Sequence, residues 1–204
     1  MTSDTRAKMV AGAADLMSRR GVNATSVREV VRHTGTPRGS ISHHFPGGKQ
    51  QLIEDAIVFA GAQVSGPLRH LTSERGAMAG LRAFITLWKK TLERTNYQAG
   101  CPILAVAVEE YICDPVDKDG VGEQDVQDRL LDLAQSIFAD WQQILSSALR
   151  REGLTASRAR RLATLVVASV EGTVAMCRAA RSAEPLDEVS HELEFVLKGA
   201  IEKL

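Results

Sequence analysis

Between Gly21 and Lys49 the chain has room for two helices of about two turns each and for little else. Ser26-Val27-Arg28-Glu29 forms a capping box, in which the Ser26 hydroxyl accepts from an orphan backbone N–H and Glu29 reaches back to the cap. Val27, Val30 and Val31 give the helix that starts there a buried stripe, and Gly35 closes it. Thr36-Pro37 predicts a further helix start, with Thr36 as N-cap and Pro37 at the first helical position, where no N–H is needed. Pro46-Gly47-Gly48 ends that helix and marks the start of a longer one near Lys49. Short helices joined through one glycine make a helix-turn-helix pattern, running from about Ser26 to His44.

Upstream, Met9, Val10, Ala13, Leu16 and Met17 recur at three- and four-residue steps, and Gly21 after Arg19 and Arg20 stops that helix. Downstream, longer helices are expected near 76–96, 102–112, 123–152, 156–181 and 186–203. Aromatic residues are only 4% of the chain against 44% hydrophobic, a balance that favours helices over sandwiches or barrels. The predicted class is therefore all-α, a three-helix helix-turn-helix domain plus a larger helical domain. The expected boundaries are 1–48, a connecting helix at 49–64, and 65–204.

The net charge is zero, but residues 1–60 carry +3 and the remainder −3, which suggests a basic module attached to a neutral or acidic one. No N-terminal segment reads as a signal peptide, and no uninterrupted apolar run approaches the roughly 20 residues that span a bilayer. A cytoplasmic protein with no membrane partner is expected. Cys101, Cys113 and Cys177 are odd in number and form no C-x-x-C pair, so neither a disulfide framework nor a metal site is indicated, and no cofactor is expected. The acidic stretch from Asp114 to Gly120 reads as a solvated loop without the ligand spacing of a calcium site.

Thr25-Ser26-Val27-Arg28-Glu29-Val30-Val31 through Gly35, followed by Ser40-Ile41-Ser42-His43-His44-Phe45, resembles the tetracycline-repressor (TetR) family over residues 5–60. Phe45-Pro46-Gly47-Gly48-Lys49 and Gly100-Cys101-Pro102 resemble the branch that includes the LmrA and YxaF repressors. The resemblance implies a DNA-binding transcriptional regulator. On the recognition helix, Ile41 and Phe45 should point inward, leaving Arg38, Gly39, Ser42 and His43 for base edges. Ser40 and His44 are expected at phosphates, and Ser26 and Lys49 resemble the family positions that clamp the backbone on either side of the groove. Ser42 stands where the family usually has tyrosine.

The family also implies a homodimer, a near-palindromic double-stranded DNA operator and a small-molecule effector. Leu162, Leu165, Val166, Val170 and Val174, with Leu186, Val189, Leu193, Val196 and Leu197, resemble its dimer-forming helix pair. Trp88, Cys101, Tyr111, Phe138, Trp141 and Cys177 fall where it holds a small, mostly apolar effector. The expected activity is repression relieved by that effector. The alternative is a thiol-switched regulator that senses redox state through Cys101, Cys113 or Cys177. No G-x-S-x-G, phosphate-loop or H-E-x-x-H pattern occurs, so an enzyme is not expected.

Overall fold

A computed structural model describes residues 2–37, 39–112 and 122–202. Arg38, Cys113 and the acidic stretch from Asp114 to Gly120 lie outside them. Every regular element among the described residues is a helix: α1 (Thr2–Arg20), α2 (Val27–Thr34), α3 (Ser40–His44), α4 (Gly48–Arg94), α5 (Pro102–Val108), α6 (Glu123–Arg151), α7 (Ala156–Ala180) and α8 (Glu184–Ile201). They form two compact units, Met1–Gly61 with Cys101–Ile137, and Ala62–Gly100 with Phe138–Leu204. Each unit is thus built from two separate stretches of chain.

In the first unit the apolar stripe of α1 packs with Val30, Val31, Phe45, Leu52, Ile53 and Ile57 in a shared core. Gly21 stops α1 in the left-handed region, φ 83°, where an L side chain is strained. A Cβ there would also collide with the carboxylate of Glu109. That carboxylate explains why α5 ends at Val108 rather than running to 112, because it is drawn away to accept from the Val22 and Asn23 N–H groups at 2.9 and 3.4 Å. Asn23 completes the junction, donating to the Glu110 carbonyl at 2.6 Å and accepting from the Ile112 N–H at 2.9 Å. Gln127 of α6 holds the same strap by accepting from the Tyr111 N–H at 2.6 Å.

α4 extends well past the connecting helix expected at 49–64, through Pro67 on an exposed side, and is interrupted at Gly76. Gly76 has φ 80° and ψ −175°, a conformation essentially reserved for glycine, so α4 has a first arm to 75 and a second from 77. The C-terminal end of α6 secures both arms. Arg151 donates to the Thr72 carbonyl at 2.9 Å, and Glu152 accepts from the Ala77 N–H at 2.6 Å. A cation thus meets the carbonyl end of one arm and an anion the N–H end of the other, as the helix dipole favours.

Phe84, Trp88 and Trp141 form the aromatic centre of the second unit, with Phe138 edge-on to Trp141 at 5.4 Å. α7 packs against α8, and α8 is tied to the second arm of α4 by Arg82–Glu194 and Lys89–Asp187, both at 2.7 Å. Among the described residues, α7 is also long and apolar enough by hydropathy to cross a membrane, averaging 1.4 over its best window. Alanine and valine raise that value without forming an uninterrupted apolar run, and half of the window is buried inside the protein.

Candidate DNA-binding site

α2 begins as its sequence demands: Ser26 is in extended conformation and its hydroxyl accepts from the Glu29 N–H at 3.2 Å. The reciprocal arm of the capping box goes elsewhere. The Glu29 carboxylate takes Arg32 at 2.6 Å and Arg20 at 3.2 Å, tying α2 to the end of α1. Gly35 closes α2 in the left-handed region at φ 65°.

The recognition helix starts later than the Thr36-Pro37 signal predicts. Thr36 shares a 2.8 Å hydrogen bond with Thr34 through their hydroxyls, so its oxygen is held at the end of α2 rather than at an N-cap. α3 begins at Ser40 with Gly39 as its N-cap residue. Phe45 anchors the other end: it is 1% exposed, its N–H donates to the Ile41 carbonyl at 2.7 Å, and the Arg6 guanidinium lies 5.3 Å over its ring. Ile41 is half-buried. With that edge turned inward, Gly39, Ser42 and His43 are exposed, while His44 is half-buried between the rings of His43 and Phe45.

Lys49 is placed differently from a free clamp. It is 6% exposed and its ammonium lies 5.2 Å over the Tyr111 ring, so a phosphate would have to draw it off that ring. Sequence reasoning passed over Arg28, which is exposed on the first turn of α2 and has no ion-pair partner among the described residues. With Arg32, Glu29 and Val31 it lines a concavity of about 420 Å³. Its signal was the Arg28/Arg32 four-residue spacing on the face opposite the buried valines.

The six effector candidates divide between the units. Cys101 and Tyr111 belong to the first, where Cys101 caps α5 by accepting from the Leu104 N–H at 3.4 Å. Trp88, Phe138, Trp141 and Cys177 belong to the second. There Trp141 donates to Ser65 at 3.1 Å, whereas the buried indole N–H of Trp88 meets no acceptor among the described residues. Burial pushes the Cys177 thiol up, which works against the thiolate a redox switch needs.

Of the dimer candidates, Leu162, Val166, Val170, Val174, Leu186, Leu193 and Leu197 are buried within the protomer, and Val189 and Val196 are half-buried. Leu165 is on the outside, and the same two helices carry Met176 and Phe195 there as well, the three exposed by 43%, 59% and 76%.

α2, the turn at Gly35 and α3, anchored by Phe45 with Gly39, Ser42 and His43 exposed, form a helix-turn-helix, the arrangement of a DNA-binding regulator. Residues 9–56 match the family described as bacterial regulatory proteins, tetR family, and residues 77–192 match the LmrA/YxaF-like transcriptional regulator C-terminal domain. An uncharacterised HTH-type transcriptional regulator of Mycobacterium tuberculosis is 33% identical over 94% of this chain and 93% of its own length. The HTH-type transcriptional regulator LmrA of Bacillus subtilis is 24% identical over 96% and 97%. Among solved structures, a TetR-family regulator from Agrobacterium tumefaciens has the same fold, with a TM-score of 0.77 at 20% identity over 95% of this chain and 97% of that one. The chain belongs to the TetR family of transcriptional regulators.

Proposed function

We propose that this regulator is a cytoplasmic repressor, that it binds a near-palindromic operator as a homodimer, and that a small, mostly apolar effector in its second unit releases it. The observation that carries the reading is the exposed edge of α3, where Gly39, Ser42 and His43 stand clear of the core that holds Phe45. Ser42 can bond either kind of base, and Gly39 lets the backbone approach the groove. Arg38, by its place in the sequence, is assigned to guanine, with Ser40, His44, Ser26 and Lys49 assigned to phosphates. The outer apolar residues of α7 and α8 are assigned to the second copy, because the stripe between those helices is already occupied inside the protomer.

Support for an effector comes from Trp88, whose buried N–H could satisfy an acceptor on a bound molecule. α4 supplies the link to DNA, since one helix carries residues of both units and begins three residues after Phe45. By linkage, an effector that weakens operator binding tenfold must itself bind the DNA-bound protein about 1.4 kcal/mol more weakly.

The test is fluorescence anisotropy on operator and scrambled duplexes. Arg38→Ala and the pair Ser42→Ala/His43→Ala should cost about 1–3 kcal/mol on operator and much less on scrambled DNA, whereas Arg28→Ala should weaken both alike. Equal losses on both duplexes for the α3 variants would remove α3 from base readout.

A further inference from the structure

The two arms of α4 enclose a groove that the DNA-reading function does not use. It has a volume of about 620 Å³ and is open along one side, and that size lies within the roughly 300–1,000 Å³ typical of ligand sites. Its apolar lining comes from both arms, Leu71 from the first and Met78, Ala83 and Leu87 from the second. Its rim is cationic. Arg75 stands at the elbow and Lys90 near the far end, both exposed and neither ion-paired among the described residues. Arg82, between them, gives only Nε and Nη2 to Glu194, which leaves it guanidinium donors to spare. Among the described residues no acidic side chain lines the groove, and Glu194 reaches it only through Arg82. From Met78 to Lys90 the second arm rises about 18 Å, so the lining extends over about that length.

An apolar strip with cations along its edge fits one kind of molecule, a single hydrocarbon chain ending in an anion. We infer that the elbow groove of α4 binds a free single-chain carboxylate, its alkyl tail along Leu71, Met78, Ala83 and Leu87 and its head group at Arg75 or Lys90. A cationic amphiphile would meet the like charges of Arg75 and Lys90, unpaired among the described residues. The binding stands on the groove alone. Its consequence for DNA rests on the effector reading above, because the ligand would bridge two arms whose relative angle is set at Gly76.

The test is isothermal titration calorimetry of the full chain with decanoate, decyltrimethylammonium and decanol below their micellar concentrations. Decanoate should bind at least about tenfold more tightly than either analogue, a difference of about 1.4 kcal/mol. Ala83→Trp, which fills the strip, should abolish the binding, and the exposed substitutions Arg75→Glu and Lys90→Glu together should weaken it about tenfold without altering the helical circular dichroism. Several results would overturn the inference: no decanoate binding, equal binding of the cation, binding that survives Ala83→Trp, or binding lost with Trp88→Phe but not with Ala83→Trp. Dissociation of a dimer by Ala83→Trp would make the groove an interface between copies, and Lys90-dependent pelleting with phosphatidylglycerol vesicles would make it a membrane surface; either overturns it. A separate arm measures operator affinity with saturating decanoate. If decanoate binds as described and operator affinity does not change, the groove stands and the effector reading fails.

Discussion

Gly21 and Ser26 show how much one position can hold. Gly21 carries a left-handed φ and abuts the Glu109 carboxylate that receives the next two backbone N–H groups. Gly21→Ala should therefore both strain the backbone and displace that carboxylate, lowering stability by about 1–3 kcal/mol in urea denaturation. A loss below about 0.5 kcal/mol would mean that Glu109 yields freely. Ser26→Ala removes only a cap, and about 1 kcal/mol is expected. At this scale the capping signals were legible and their partners were not. Ser26 capped as its spelling demands, but Glu29 went to Arg20 and Arg32, and Thr36 to Thr34. A cap's own hydrogen bond is local; the choice between it and a guanidinium depends on what the fold brings alongside.

At the scale of elements, the elbow in α4 falls where the helix expected near 76–96 begins, and the surprise is that the arm expected to end at 64 runs on to meet it. Gly61, Gly66 and Pro67 all suggest an interruption, yet the helix passes them and breaks at Gly76, where Arg151 and Glu152 are present to cap both exposed ends. Gly61 serves close approach instead: a Cβ there would sit 2.9 Å from Ile137 side-chain atoms. Glu152→Ala should lower stability by about 1–2 kcal/mol, since an orphan N–H loses a charged acceptor, while Glu152→Gln should recover part of it. The Arg82–Glu194 pair behaves differently. Its hydrogen bond from Arg82 holds the Glu194 carboxyl below the ordinary glutamate range. A depressed folded-state pKa means stability that is present above about pH 4.3 and lost as pH falls through Glu194's own lower value. The melting temperature of Glu194→Gln should sit slightly below the parent at pH 7, and the two should converge under acid. A gap that widens on acidification would reverse the assignment.

On the scale of the whole molecule, the all-helical class and the DNA-reading head were readable because both rest on short-range patterns of spacing, caps and glycine. Which stripe of α7 and α8 faces a second copy is not encoded at that range, for a physical reason that Phe195 and Val196 illustrate. Neighbours on a helix lie about 100° apart, so an apolar run on α7 or α8 supplies two stripes, and periodicity cannot say which one the protomer keeps. The protomer keeps Val166 and Leu193, and leaves out Leu165 and Phe195. Likewise the return of residues 101–137 to the first unit is a long-range event, carried by Glu109 at Val22 and Tyr111 at Lys49, that no local motif encodes. If the outer stripe joins two copies, Phe195→Glu with Met176→Glu should shift sedimentation from dimer to monomer by placing charge against a dry surface. An unchanged dimer would locate the interface elsewhere.

In a two-fold dimer, the α3 helices of the two copies read a two-fold site. Selection of bound duplexes from a random pool with the purified full chain needs no prior operator and checks this at once. A near-palindrome whose half-site centres lie about 34–36 Å apart along the duplex, or a multiple of that, should be enriched. The Ser42→Ala/His43→Ala chain should enrich that sequence far less. Recovery of no sequence, or of a single asymmetric element indifferent to those two substitutions, would contradict it.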